Sequence, residues 1–376
     1  MATALFAAPP MHFREHTIAT GLKGGYQVVP FDVNHDGKID LIAVASGMTD
    51  LVWYENPGPG KQVWERHVIA SNLPRMINVA AADLDGIPTL VLAYEFSMEA
   101  GKSIGIVAVL TSQGDPRQPW KMTEIDRLPT SHRLRWANID GSGKKVLINA
   151  PLTGSKAAPP DFHGHVPLVF YRPGEWKREL IDDRNEGVVH GILVIDWDGD
   201  GRDEILSASF LGIHLYKLDG VKWSRMEIAK GDPAPWPKSG ASDIAVGKTG
   251  RERFVAAIEP WHGNQVSLYR KNGAAWTRQE VDETLVDGHT IHAADLDHDG
   301  NDEIIAGGRG KPQSVYIYSF DGARWNRQTL DDGGMASAAC AVADLSGHGR
   351  LDVACIGSAT QNLKVYENLS YEKPGR

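Results

Sequence analysis

Apolar runs alternate with short polar loops along this chain, and the most regular loops are acidic. Three segments show the pattern best: VVPFDVNHDGKIDLIAVA (28–45), ILVIDWDGDGRDEILSAS (192–209) and IHAADLDHDGNDEIIAGG (291–308). In each, two apolar runs of strand length flank a loop of Asp, Asn and Gly, which favour turns. The pattern predicts pairs of buried β-strands joined by an acidic loop.

The acidic loop recurs in weaker form, and its first position supplies a count along the chain. The seven first positions are Asp32, Asp83, Asn138, Asp196, Ala245, Asp295 and Asp344. Successive positions differ by 51, 55, 58, 49, 50 and 49 residues. A repeat of this length made of short strands is typical of a β-propeller with one four-stranded blade per repeat. We therefore predict an all-β, seven-bladed propeller.

A second pattern, an aromatic residue followed five positions later by an aliphatic one, supports the count. It occurs at Trp64/Ile69, Trp120/Ile125, Trp176/Ile181, Trp223/Ile228, Trp276/Val281 and Trp325/Leu330. The seventh acidic loop has no such segment after it, but Phe13/Ile18 supplies one near the N-terminus. We predict that residues 11–19 form the outer strand of the last blade, so that 1–376 is a single propeller without an open sheet edge.

Composition and charge narrow the function classes. The chain has a net charge of −9 and no basic run, so we expect no nucleic acid partner. It also lacks an apolar stretch long enough to span a membrane. The first residues, MATALFAAPP, lack a basic segment and are either the remnant of a signal peptide or a tail. Compartment, secreted, periplasmic or cytoplasmic, and oligomeric state stay open.

The two cysteines fall on the strands that flank the last acidic loop. If Cys340 and Cys355 face each other across a hairpin, they form either a disulfide or a pair of buried thiols. We favour the thiols, because bridges between neighbouring strands are easily strained.

Three acidic loops carry oxygen ligands at positions 1, 3, 5 and 9, a spacing suited to Ca²⁺. The full sets are Asp32, Asn34, Asp36 and Asp40; Asp196, Asp198, Asp200 and Glu204; and Asp295, Asp297, Asp299 and Glu303. This spacing resembles the FG-GAP repeats of integrin α-subunits and bacterial VCBS repeats over almost the whole chain. The loops are candidate calcium sites, although Asp and Gly also form turns without metal. In either case we expect a structural role for them.

The acidic loops lie on one face of the predicted disc, so we expect a ligand site on the opposite face, around the axis. Six residues before each first position lie Tyr26, Ile77, His132, His190, Ser239, His289 and Ala338. Three histidines from three blades share this position, and each stands where the innermost strand begins. We predict that His132, His190 and His289 meet at the mouth of the central channel.

Other polar and aromatic residues fall on the same predicted face. Arg133 adjoins His132, and Arg75 precedes another innermost strand. A long insert at 151–167 contains His163 and His165. Further candidates for contacting a substrate are Glu95, Trp261 and His262, the tryptophan by stacking on a sugar ring.

Two chemistries suit the three histidines. Neutral imidazoles from three blades can bind Zn²⁺ or another divalent transition metal with an open position. Alternatively, one histidine acts as a general base beside arginines that stabilise an anionic oxygen. Both suit β-elimination from a sugar, in which Arg75 and Arg133 stabilise the anion and Tyr26 is a candidate proton donor.

The segments SHRLRWANIDGSGKKVLINAPL, GVVHGILVIDWDGDGRDEIL and DGHTIHAADLDHDGNDEII resemble the propeller domain of fungal aldos-2-ulose dehydratases. They are also similar to seven-bladed polysaccharide lyases that cleave rhamnosyl–glucuronate linkages. The matching positions are His132, Arg133, His190 and His289, and the resemblance implies a lyase or dehydratase acting on a keto-sugar or uronate glycoside.

Two other function classes remain open. A non-catalytic propeller that binds carbohydrate or protein would bind no axial metal and would tolerate changes at the histidines. A hydrolase using Glu95 or Glu259 would need a pair of convergent carboxylates, which the sequence does not show.

Overall fold

The computed structural model describes residues 10–61 and 63–370, and the predicted all-β, seven-bladed propeller is confirmed. Twenty-eight strands form seven four-stranded antiparallel sheets, and one short 3₁₀ turn spans Ala100–Lys102. The N-terminal segment considered above as a signal-peptide remnant lies, up to residue 9, outside the described residues. No helix within the described ranges is long and apolar enough to cross a membrane.

Strands are numbered in chain order, and the first belongs to the last blade. The strands before the fourth blade are β1 (Phe13–Thr20), β2 (Gly25–Phe31), β3 (Asp40–Ala45), β4 (Leu51–Glu55), β5 (Glu65–Ala70), β6 (Asn78–Leu84), β7 (Ile87–Tyr94), β8 (Ile106–Thr111), β9 (Lys121–Arg127), β10 (Ser131–Ala137), β11 (Val146–Pro151), β12 (His165–Tyr171) and β13 (Glu179–Glu186). The remaining strands are β14 (Val189–Ile195), β15 (Glu204–Ser209), β16 (Gly212–Asp219), β17 (Lys222–Ala229), β18 (Asp243–Thr249), β19 (Glu252–Glu259), β20 (Gln265–Asn272), β21 (Ala275–Asp282), β22 (Gly288–Ala294), β23 (Glu303–Gly308), β24 (Val315–Phe320), β25 (Trp325–Asp331), β26 (Ser337–Ala343), β27 (Asp352–Gly357) and β28 (Asn362–Asn368).

Six blades consist of four consecutive strands, and the seventh joins the two ends of the described chain. Its strand order is β1-β28-β27-β26, with Phe13 opposite Asn368 and Thr20 opposite Asn362. The predicted closure by an N-terminal strand is therefore confirmed. The aromatic/aliphatic pattern marks the outer strand of every blade, from β1 to β25.

The hydrophobic core lies between the blades. Seven buried clusters each combine residues from two neighbouring blades, including the pair formed by the first and the last. The first blade, for example, contributes Trp53 to the cluster on one side and Leu41 to the cluster on the other. Each sheet therefore buries both faces, which explains why the second strand of most blades is an unbroken apolar run.

Hydrogen bonds from tyrosines also connect neighbouring blades. Tyr366 on β28 donates to Asp331 at the end of β25, with an Oη–Oδ2 distance of 2.6 Å. In the same way the Tyr171 hydroxyl donates to Asp126 and the Tyr318 hydroxyl to Asp282. Tyr216 donates to the side-chain amide oxygen of Asn185. A third-strand tyrosine thus binds the end of the preceding blade's outer strand.

The structure contains a disulfide between Cys340 and Cys355, so the expectation of two thiols was wrong. The two residues are direct partners in the β26–β27 ladder, and their Cα atoms lie 4.1 Å apart. Strand partners whose Cα atoms approach this closely bring their side chains together.

Candidate functional site

A β-bulge at the start of the innermost strand positions the residues that lie six positions before the first acidic position of a repeat. The register shifts at this point in five blades, and the residue passed over by the ladder is Tyr26, His132, His190, His289 or Ala338. A bulge leaves one residue unpaired and re-aims its side chain. The rings of Tyr26 and the three histidines come together on the axis, with His132 and His190 centred 5.1 Å apart.

The other two blades have no bulge. In them the first position of the repeat, assigned from sequence spacing, does not lie in an acidic loop. Asp83 lies inside β6 and Ala245 inside β18, and both strands turn tightly at a glycine in place of an acidic loop. The predicted Ser239 precedes β18 and donates to the Phe210 carbonyl instead. Ser242, three residues later, faces the histidines, because its Oγ lies 3.2 Å from His190 Nδ1.

His190 and His289 are each held by a backbone carbonyl through Nδ1. The distances are 3.2 Å from His190 to the Ser242 oxygen and 2.6 Å from His289 to the Ala338 oxygen. A carbonyl accepts only, so Nδ1 carries the proton and Nε2 keeps its lone pair in the neutral ring. His289 Nε2 is buried and has no hydrogen-bond partner among the described residues.

His262 joins this group from the link between β19 and β20, although the sequence suggested only substrate contact. Its Nε2 lies 3.3 Å from His190 Nε2, and its Nδ1 lies 3.0 Å from Arg309 Nη2. Arg309 is in turn paired with Asp287. Because Arg309 donates to Nδ1, neutral His262 carries its proton on Nε2 and donates towards His190. Sequence reasoning missed Asp287 and did not assign Arg309 a role; neither belongs to a repeated pattern.

The nitrogens of His190, His262 and His289 lie within 4.8 Å of one another and could hold a metal ion. His190 and His289 fit such a role directly, since metal-binding histidines commonly donate their other N–H to a carbonyl. His262 would first have to move its proton from Nε2 to Nδ1, which lies 3.4 Å from Asp287 Oδ1. The compact group thus includes His262, while His132 has different partners.

His132 forms a separate unit with Tyr26 and Arg133. The Tyr26 hydroxyl lies 2.6 Å from His132 Nε2, and Arg133 Nη1 lies 3.1 Å from that nitrogen and 3.2 Å from the hydroxyl. Arginine only donates, so His132 Nε2 accepts and the phenolic proton points towards it. His132 Nδ1 then carries a proton and is buried without a partner.

Burial keeps all four imidazoles neutral near pH 7. His132, His190 and His289 are 1%, 2% and 1% exposed, and desolvation, followed by a nearby arginine, lowers the pKa of each well below 6.5. Desolvation and Arg309 lower the pKa of His262 to about 3. The cluster therefore offers unprotonated bases in a water-poor site.

Aromatic side chains surround the histidines on this face. The Phe96 ring lies 5.5 Å from that of His132, and Trp261 lies 4.7 Å from His262. The long insert between β11 and β12 adds Phe162, which packs edge-on against Trp261. Phe210 and Trp236 complete this apolar cluster. The predicted Trp261 thus lies beside the cluster, and Phe96 is an addition that the sequence did not suggest.

The remaining predicted substrate-binding residues lie farther out. His163 stacks on Trp236 and sits 3.6 Å from Glu186, and His165 is exposed at the start of β12. Arg75 pairs with Glu95, and Phe96 adjoins this pair in the chain. Glu259 is fully buried between Tyr269 and Arg278, so it belongs to the blade's interior.

The three full acidic loops lie at the opposite ends of the innermost strands. Their ninth-position acids accept a backbone N–H from the second position, as in Asp40 with Val33 and Glu303 with Leu296. Basic side chains enter two of them. Lys38 pairs with Asp36, and Lys217 contacts Asp198, Asp200 and Glu204. The loops close through internal hydrogen bonds, which agrees with a structural role.

Comparison with known proteins supports the resemblance to the propeller domain of aldos-2-ulose dehydratase. The sequence model of the aldos-2-ulose dehydratase β-propeller domain matches residues 104–272, the segment that carries His132, His190 and His262. An FG-GAP-like repeat matches residues 16–86. The chain resembles the propeller domain of aldos-2-ulose dehydratase. The Phanerodontia chrysosporium dehydratase is 29% identical over 233 residues, which cover 54% of this chain and 25% of that protein.

Solved structures confirm the fold. The WD40 propeller domain of Doa1 superposes with a TM-score of 0.56 at 15% identity, covering 96% of this chain and 98% of that one. The extracellular domain of a proposed one component system from B. thetaiotaomicron gives a TM-score of 0.55 at 11% identity, covering 94% and 39%. At these identities the likeness to both structures concerns architecture alone.

Proposed function

We propose that the axial face of this propeller catalyses β-elimination from a carbohydrate, either a keto-sugar or a uronate glycoside. The observation that carries the proposal is the buried, neutral histidine group beside Tyr26 and Arg133, in a chain that resembles a sugar dehydratase. Apolar side chains around the group exclude water, which strengthens the hydrogen bonds to a developing anion.

The residues divide the reaction between them. His289 Nε2, which has a free lone pair, removes the proton next to the carbonyl or carboxylate. The C–H electrons pass to the oxygen as an enolate, and Arg133 donates hydrogen bonds to it. As the enolate collapses to a double bond, the C–O bond at the β-carbon breaks, and Tyr26 donates its proton to the departing oxygen.

His190, His262 and His289 also fit a divalent metal, and when bound it would supply Lewis-acid stabilisation of the enolate oxygen. His289 Nε2 would then be a ligand and not the base, and the base role would fall to the Tyr26–His132 pair, in which His132 Nε2 accepts the proton of the Tyr26 hydroxyl. The acidic loops at Asp32, Asp196 and Asp295 are proposed calcium sites with a structural role. Trp261, beside the histidines, and the outer residues Arg75, Glu95, His163 and His165 are proposed to bind the sugar.

The direct test follows absorbance from a new conjugated double bond. The protein, with and without added Zn²⁺ or Mn²⁺, is incubated with a panel of keto-sugars and uronate-capped oligosaccharides. Turnover should fall at least about 100-fold in His289→Asn and in Tyr26→Phe, and remain unchanged in His298→Asn, a control on the opposite face.

No product across the panel, with metal supplied, would overturn the proposal. If the wild type binds an oligosaccharide without turning it over, and if His132→Ala and His289→Ala bind it equally well, a non-catalytic binding propeller is favoured instead. Exchange of the substrate's α-proton with deuterated solvent, followed by NMR, detects proton removal even if departure of the leaving group is slow.

A further inference from the structure

The axial channel continues below the histidines as a cavity of about 540 Å³ lined by the innermost strands of all seven blades. Polar side chains at this level bind the next blade's backbone. Gln27 Oε1 accepts from Val79 N at 2.7 Å, Asn78 Oδ1 from Leu134 N at 2.9 Å, and Thr290 Oγ1 from Cys340 N at 2.9 Å. These groups satisfy strand edges that would otherwise face the channel unpaired.

Two arginines at this level lack a charged partner. Arg133 and Arg135 lie two residues apart on β10, so both side chains point into the channel. Arg133 donates to Tyr26 and His132, and Arg135 donates to Asn78 and to the Leu134 carbonyl. All are neutral, and neither guanidinium forms an ion pair within the part of the chain that the structure describes.

One carboxylate, Asp243, faces the arginines among the described residues that line the channel. It lies against β14 where Gly191 leaves room, since a Cβ there would approach Asp243 Oδ1 to 2.6 Å. Its Oδ1 also accepts from the Ile244 N–H. Desolvation raises the pKa of Asp243 to about 6 and lowers that of Arg135 to about 10. Arg133 is buried, Arg135 and Asp243 are partly buried, and the three side chains surround the cavity without forming an ion pair with one another.

We propose that the channel below the histidines binds the carboxylate group of a small molecule through Arg133 and Arg135. Two guanidiniums against one carboxylate leave a positive charge uncompensated, and the exposed Lys145, which also lines the channel, adds to it. Charges withdrawn from water are normally paired. Guanidinium groups bind carboxylates through paired N–H donors. The cavity volume lies in the range of small-molecule sites.

The carboxylate has two sources, a free small acid or the acid group of a sugar. Acetate tests the first and glucuronate the second, by isothermal titration calorimetry against chloride at matched ionic strength. Binding alone is measured, so the result does not depend on whether the axial histidines catalyse elimination. Binding of either acid supports the proposal, and the tighter ligand identifies the source.

Two substitutions should move the affinity in opposite directions. Arg135→Gln should weaken binding by about tenfold, because it removes a charged donor. Asp243→Asn should tighten binding by several-fold, because it removes the competing charge but keeps an acceptor for the Ile244 N–H. Arg324→Gln, at an exposed position outside the channel, is the matched control and should change nothing.

Opposite shifts would not arise from a general loss of structure. If Arg135→Gln does not fold, Asp243→Asn carries the test by itself, since a gain of affinity cannot result from misfolding. Failure of both acids to bind, or equal affinity in the wild type, Arg135→Gln and Asp243→Asn, would overturn the proposal.

Discussion

Replacing His262 by Asn should make the protein less sensitive to acid, by an amount that follows from the burial of this imidazole. In the folded state, desolvation and Arg309 lower the pKa of His262 to about 3 from its ordinary value of 6.5. Below pH 6.5 the unfolded chain therefore binds a proton that the folded protein does not. Stability must fall with pH over the window from 6.5 to 3.

The size of the effect follows from about 1.36 kcal/mol per pH unit. At pH 5, roughly 1.5 units below the ordinary value, neutral His262 costs the folded state about 2 kcal/mol relative to pH 8. At pH 3, where folded His262 is half protonated, the cost is about 4 kcal/mol. Asparagine does not titrate, so the stability of His262→Asn relative to the wild type should improve by these amounts as the pH falls.

Urea unfolding at pH 7.5, 6 and 5, in the presence of a chelator, measures the free energy of unfolding of both proteins. The quantity to compare is the change with pH in the difference between His262→Asn and the wild type. The comparison between proteins is essential, because burial raises the pKa of Asp40 to about 7 and that of Glu303 to about 8, and these groups titrate in the opposite sense. They are common to both proteins and cancel. His298→Asn, the same substitution at an exposed position, is the matched control for loss of an imidazole. An unchanged difference between His262→Asn and the wild type from pH 7.5 to 5 would refute the reasoning.

Three further predictions concern the scaffold. Tyr366→Phe should destabilise the protein by about 1–3 kcal/mol in urea unfolding, because Asp331 stays buried and loses a hydroxyl donor; an unchanged midpoint would contradict the role of the inter-blade bond. Lys217→Met should strengthen and Asp200→Asn should weaken calcium binding at the Asp196 loop by calorimetry, because Lys217 occupies its carboxylates; equal affinities would contradict this. Replacing both Cys340 and Cys355 by Ala should cost about 3 kcal/mol for a bridge between residues 15 apart, and unchanged thermal unfolding would argue against the disulfide.

The fold could be predicted because its signals repeat. An acidic loop between two apolar runs and an aromatic/aliphatic pair on the outer strand recur once per blade, so errors at one repeat are corrected by the others. The counting went wrong at Ala245, where a tight turn replaces the acidic loop and β18 has no bulge. The position facing the histidines is therefore Ser242 and not Ser239.

The candidate site was only partly predictable for the opposite reason. Tyr26, His132, His190 and His289 occupy a repeated position, so the count located them together. His262 arrives on a link between two strands, and its partners Arg309 and Asp287 come from other links. Links have no periodicity, and only the folded ring brings them together. Arg135 and Asp243 likewise lie on different strands whose shared channel has no local sequence signal.

The β-bulge explains how the repeated strand pairing of the blades stays the same while the side chains at the axis differ. The bulged residue is passed over by the strand ladder, so its backbone is unpaired and its side chain is re-aimed relative to those of its neighbours. Tyr26, His132, His190, His289 and Ala338 all occupy this place on the same backbone geometry. The ladder therefore accepts a phenol, an imidazole or a methyl group there. It follows that changes at these positions should alter chemistry far more than folding. Changes in the acidic loops, which are closed by hydrogen bonds from backbone N–H groups to their own carboxylates, should show the reverse.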